Sequence, residues 1–278
     1  MDIVDAQVHV FHHHTESQMI ACMDALGITG VVIDELWSFA TDGTTLPCKI
    51  FPNGANRPLS PLAAGAALRL PDRFSLQQRV SRLDPELAAL FAILSSTAGC
   101  RAVRIDGRTK AEQEALGDGG YDTVIRLARA HDLPVFLLIP GPETAKITRD
   151  ISSKFSDVQF ILDHCGRPES MGKWEDILTL SECPNLALKW CHPLHYFDAG
   201  PYPFVNVRVQ LARAIGSFGA RRIMWASDIT VDRGGVSWAD LLYTIREDAA
   251  LSMSDKEWIL GRTARTILKW VVSTPSRG

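Results

Sequence analysis

Val158-Gln159-Phe160-Ile161-Leu162-Asp163-His164-Cys165-Gly166-Arg167-Pro168 carries the pattern on which the fold turns. A short run dominated by Val, Ile, Leu and Phe suits a strand covered on both faces, as in a parallel sheet. It stops at an acid and an imidazole, followed by Gly and Pro, which break regular structure. The same unit recurs along the chain, and strands are predicted over 2–10, 30–36, 74–80, 100–105, 134–139, 158–162, 185–190 and 222–226. Segments of helical period lie at 16–26, 85–97, 121–130, 142–154, 173–180, 205–218, 238–249 and 255–270, the last with Ser254 as N-cap and Glu257 three residues on. Eight strands with crossover helices make an α/β protein, and eight is the number that closes a (β/α)8 TIM barrel. The 278 residues are close to the roughly 250 of one such barrel, so one domain, 1–278, is expected. Neither GxGxxG nor GxxxxGK[ST] occurs, and nothing else favours an open doubly wound sheet.

The 46% hydrophobic and 22% charged content is that of a globular chain with a substantial core. A net charge of −3 leaves no basic surplus for nucleic acid or anionic lipid; a small molecule is the expected partner, and a homo-oligomer stays open. Six scattered cysteines without a CxxC pair read as reduced thiols. No run approaches the ~18 apolar residues of a membrane span, and the first residues lack an apolar signal core, so a cytoplasmic location is expected. The stretch 37–61 is rich in Gly, Pro, Asn and Thr and has no period; in a barrel it lies at the C-terminal rim, where substrates bind.

Barrel chemistry collects at the C-terminal ends of strands. Here those ends carry Asp5, Gln7 and His9, Asp34 and Glu35, Arg104 and Asp106, Asp163 and His164, Lys189, and Ser227 and Asp228. Alternation by two sends Asp5, Gln7 and His9 to one face, toward the barrel interior. Buried charges are costly unless paired or used, so the collection points to a site.

Asp5-Ala6-Gln7-Val8-His9, residues 161–168, Met224-Trp225-Ala226-Ser227-Asp228 and residues 258–264 together resemble the amidohydrolase-related family, over nearly the whole chain and in the expected order. The resemblance implies a barrel hydrolase of the branch that holds pyrone-dicarboxylate and sugar-acid lactonases and metal-dependent aromatic decarboxylases. It implies catalytic roles for Asp228, His164 and His9. The family's first strand often carries two histidines, which with a later histidine and aspartate hold one or two divalent metals. Here the first of the pair is Gln7, whose amide oxygen is a weaker zinc ligand than imidazole. The fifth strand has no histidine or lysine, which argues against a binuclear centre. The cofactor is therefore either none or one zinc or manganese ion on His9, His164 and Asp228, and the lactonase branch can work without one. Hydrolysis of a cyclic ester is the leading expectation: Asp228 takes a proton from water while His164 and His9 polarise the carbonyl. A metal-dependent decarboxylase of an unsaturated or aromatic acid and a non-catalytic ligand-binding barrel are the alternatives.

Substrate contacts are expected from Gln7, Arg104, Lys189, Arg167, His192 and Trp37. Arg104 and Arg167 would grip a carboxylate in bidentate fashion, favouring an acidic lactone. Each residue also has a plainer reading. Arg104 and Arg167 suit ion pairs, Lys189 a buried bridge to Glu35, Gln7 a neighbour's hydrogen bond, and Asp5 a backbone cap. His192, His195, Tyr196 and Tyr202 fit solvated loops as well as a rim. His12, His13 and His14 stand in a row and cannot all face one ion. Trp190 and Trp225 pack more often than they wall a substrate, and Cys165 and Cys191, with no base partner in sequence, are expected to fill space.

Overall fold

The computed structural model describes residues 1–9, 15–35, 48–229 and 236–271. Strands β1 (Val4–Val8), β2 (Gly30–Ile33), β3 (Cys48–Ile50), β4 (Asn56–Pro58), β5 (Phe74–Arg79), β6 (Cys100–Asp106), β7 (Val135–Leu138), β8 (Phe160–Leu162), β9 (Leu186–Trp190) and β10 (Ile223–Trp225) form two sheets. Eight of them pair in parallel in the order β1-β2-β5-β6-β7-β8-β9-β10, with helices between. The Asp228 amide donates to the Gln7 carbonyl at 3.0 Å and brings the last strand back to the first. This is the predicted TIM barrel, and each predicted strand is present.

Two apolar layers hold it. Val4, Ala6, Val32, Ala102, Phe136 and Ile161 fill the interior above Leu268 and Trp270, while the helices pack on an outer shell that includes Ile33, Val103, Leu162, Leu188 and Trp225. The helices Pro61–Arg69 and Lys110–Gly117 were not predicted; the first buries only Ala63, Ala66 and Ala67, too little side chain to register as an apolar stripe. Within the expected rim loop, residues 48–61 are described. β3 and β4 form an antiparallel hairpin, tied down where Arg57 grips Asp84 through two nitrogens at 2.6 and 2.7 Å. Residues 37–47 lie outside the described residues.

The C-terminal helix departs from its predicted form. Its cap is Ser252, whose hydroxyl accepts from the Asp255 amide at 3.1 Å, and the chain widens into a π turn over Trp258–Arg262 before Thr263–Ile267. The turn brings Gly261 against the chain entering β1, where an added Cβ would stand 2.1 Å from the Asp2 carbonyl oxygen. Backbone cannot yield as a flexible side chain does. Gly261→Ala is therefore expected to lower stability by about 2 kcal/mol or more, read as an earlier midpoint in urea unfolding with an unchanged slope.

Candidate active site

The first strand does not follow simple alternation. Its ladder with β2 slips between Asp5 and Val8, so Val4 and Ala6 join the interior while Val8 joins the outer shell. One extra residue in a strand re-aims the side chains beyond it. Asp5 thus parts from Gln7 and His9, correcting the expectation that all three share a face. Its carboxylate accepts from the Ser227 amide (2.9 Å), the Ser227 hydroxyl, Trp238 Nε1 (2.8 Å) and the Gln7 amide (3.1 Å). Burial pushes its pKa up to about 6 against those donors, and its part is the backbone cap.

Past the slip, Gln7 and His9 reach Asp228, the centre of the site. Asp228 Oδ2 accepts from Gln7 Nε2 at 2.9 Å and His192 Nε2 at 2.8 Å; His9 Nε2 lies 2.7 Å from Oδ1, and His164 Nε2 3.8 Å from Oδ2. Burial alone would raise the Asp228 pKa. The charge of His9 and hydrogen bonds from His192 and His9 outweigh it and hold the group well below the usual carboxylate range. His164 goes the other way: burial keeps the imidazole neutral despite Asp163 and Asp228. Arg104 Nη2 stands 3.3 Å from His164 Nε2. A guanidinium only donates, so that nitrogen accepts and the ring proton sits on Nδ1.

Three of these side chains leave the backbone from left-handed conformations: His164 (φ 53°), His192 (φ 53°) and Asp228 (φ 55°). The run from His164 to Arg167 is left-handed throughout. For residues with a Cβ this costs on the order of 1–2 kcal/mol each, and such strain gathers where side-chain aim matters more than stability.

Beneath the site lies a buried charge network. Arg104 Nε and Nη2 meet Asp163 Oδ2 at 2.6 Å, its Nη1 meets Asp34, and Arg79 bridges Asp34 (2.6 Å) to Asp106 (2.7 Å). Lys189 Nζ sits 2.5 Å from Asp163 Oδ1 and also donates to Gln7 Oε1. An ammonium only donates, so the Gln7 oxygen faces Lys189 and its NH2 faces Asp228. Glu35 instead accepts from the Ala63 amide at 2.8 Å, so the Lys189 bridge to Glu35 does not form. Arg104 and Lys189, 1% and 0% exposed, are floor residues engaged by carboxylates, not the substrate clamp that strand position suggested.

Arg167 is different: it is half-buried just past the end of β8, and its side chain makes no hydrogen bond or ion pair among the described residues. Its charge acts on the Tyr196 phenol, which burial otherwise pushes up. The His192 ring meets those of His164 and His195 at 5.1 and 4.9 Å. Trp190 stacks on Phe197 at 5.8 Å in the outer shell, and Trp225 packs there too, so neither walls the site. Trp37 and His12, His13 and His14 lie outside the described residues.

The donors fit a divalent ion. His164, Cys191, His192 and Asp228 each offer a ligand atom within 4.8 Å of the others. His164 Nδ1 is buried and makes no hydrogen bond among the described residues. His9 Nδ1 lies 2.5 Å from the Asp34 carbonyl and donates to it, which holds the ring with Nε2 toward Asp228. Cys191, expected from sequence to fill space, instead stands within this group.

Solved structures share the whole architecture. A zinc-bound amidohydrolase from Burkholderia multivorans superposes with a TM-score of 0.79 at 14% identity, covering 98% of this chain and 100% of that one. A putative 2-pyrone-4,6-dicarboxylic acid hydrolase from Pseudomonas putida gives 0.68 at 18%, covering 98% and 99%. 5-Carboxyvanillate decarboxylase from Sphingomonas paucimobilis gives 0.65 at 15%, covering 93% and 84%. No curated protein matches in sequence. No described helix is long and apolar enough to cross a membrane. The amidohydrolase family model matches residues 54–270, from the β3–β4 hairpin through the last helix, and the chain belongs to the amidohydrolase family.

Proposed function

We propose that the protein is a hydrolase that opens a cyclic ester, with Asp228 as the proton acceptor. The observation that carries this is an ionised, buried Asp228 carboxylate met by His9, His192 and Gln7 at the C-terminal mouth of the barrel. Asp228 accepts a proton from the attacking water, with His192 hydrogen-bonded to share the load. The Nδ1–H of His164 is a donor for the carbonyl oxygen as it becomes an oxyanion. The carbonyl carbon–ring oxygen bond then breaks, and the leaving oxygen takes back the proton. Arg167, with no partner among the described residues, suits a substrate carboxylate at the rim. One zinc or manganese ion, if bound, would be held by Asp228 and by His164, whose ring would give up its Arg104 contact or its Nδ1 proton to the ion, with His9, His192 or Cys191 in reach; the ion, in place of the Nδ1–H, would then polarise the carbonyl and acidify water. The zinc in the Burkholderia relative supports that fit.

A panel of lactones with and without a carboxylate, followed by acid release, tests the reading. Ring opening with preference for the carboxylated members is expected. Release of CO2 from carboxylated arenes with no lactone turned over would replace it with the decarboxylase, and saturable binding without turnover would replace it with the non-catalytic barrel.

A further inference from the structure

We propose that Cys191 is a metal ligand: its thiolate joins His164, His192 and Asp228 around a single ion and makes the site prefer zinc to manganese. This rests on the metal fit of the site described above, and not on which bond the enzyme cleaves.

Successive residues of a strand point to opposite faces, so Cys191 and His192 should not both reach Asp228. The left-handed backbone at His192 breaks that alternation. Cys191, 0% exposed, belongs to the barrel interior, and its sulfur lies with the imidazoles of His164 and His192 and the Asp228 carboxylate inside one 4.8 Å group. Cys165 shows what a space-filling thiol looks like here. It sits in the outer shell and donates to the Cys191 carbonyl at 3.4 Å, whereas Cys191 Sγ makes no hydrogen bond among the described residues. The same pocket holds His164 Nδ1, buried on a residue 5% exposed and without a hydrogen bond among the described residues. Two imidazoles, a carboxylate and a thiol are a zinc donor set; manganese favours oxygen. On binding, the S–H bond breaks, sulfur keeps the electron pair for the ion, and the proton leaves to solvent.

The full chain, stripped by chelation and loaded with cobalt(II), is expected to take one ion and show an intense near-ultraviolet thiolate-to-cobalt charge-transfer band. The band should vanish in Cys191→Ser and persist in Cys22→Ser and Cys48→Ser, with circular dichroism confirming the fold of each. Zinc affinity of Cys191→Ser should fall by more than the roughly 10- to 100-fold that losing a ligand's hydrogen-bond partner costs, while manganese affinity changes less. Wild-type protein that binds cobalt without the band, binds none, or keeps its zinc affinity in Cys191→Ser would overturn the assignment. A failed lactone panel would leave these readouts unaffected.

Discussion

Asp228→Asn turns over lactone roughly 10²- to 10⁴-fold more slowly than the wild type, the range lost with a positioned general base. The amide has the carboxylate's shape and keeps an oxygen for the Gln7 and His192 donors at the Oδ2 position, so the barrel folds. What it loses is the capacity to take a proton. The loss should fall on kcat with little change in KM, because the water, more than the substrate, meets this group. Since its neighbours hold Asp228 ionised well below the usual carboxylate range, no limb of the wild-type pH–rate profile in the neutral range belongs to it. Stopped assays across pH on both proteins check this, and full activity in the variant ends the base assignment.

Asp163→Asn should be the most destabilising single change in the site, at about 3–5 kcal/mol. It removes the carboxylate that holds both Arg104 and Lys189, leaving two cations buried with a neutral amide between them. At roughly 2–4 °C per kcal/mol for a chain of this class, the melting point falls by about 6–20 °C. Acid carries the same signature. Burial raises the Asp163 pKa, but Arg104, Lys189 and His164 outweigh it and hold it at about 2, below the 3.8 of an unfolded aspartate. Its stabilisation, about 2 kcal/mol, is therefore complete above pH 3.8 and lost as pH falls toward 2. Asp34 and Asp228 are also lowered and act in the same direction. Asp5 is raised to about 6, so it costs stability above that pH and relaxes as pH drops toward 3.8. Fluorescence of the buried Trp174, Trp190, Trp225 and Trp270 follows the unfolding, and the variant should be weaker at neutral pH with a shallower loss below pH 4. An unchanged melting point would show that the network is not what holds these charges.

Short apolar runs between helical periods were enough to establish the barrel, because strand and helix periods are local properties of the chain. The run ending in Asp163-His164 lies where it was expected, as do Asp228 and His9 at the same rim. Local information failed where one residue changed the aim of the next. The slip after Asp5 split a trio that alternation held together, and the left-handed turn at His192 brought His192 beside Cys191 in the site. The cap at Ser252 lost out to Ser254 in sequence because both hydroxyls stand three residues before an acid; only the extended backbone at Ser252 tells them apart. Partner choice was beyond sequence altogether. Lys189 pairs with Asp163 instead of Glu35, and Arg104 with Asp34 and Asp163 instead of a substrate, because ion pairs depend on strand register around a closed sheet, and register is settled only when all eight strands pack.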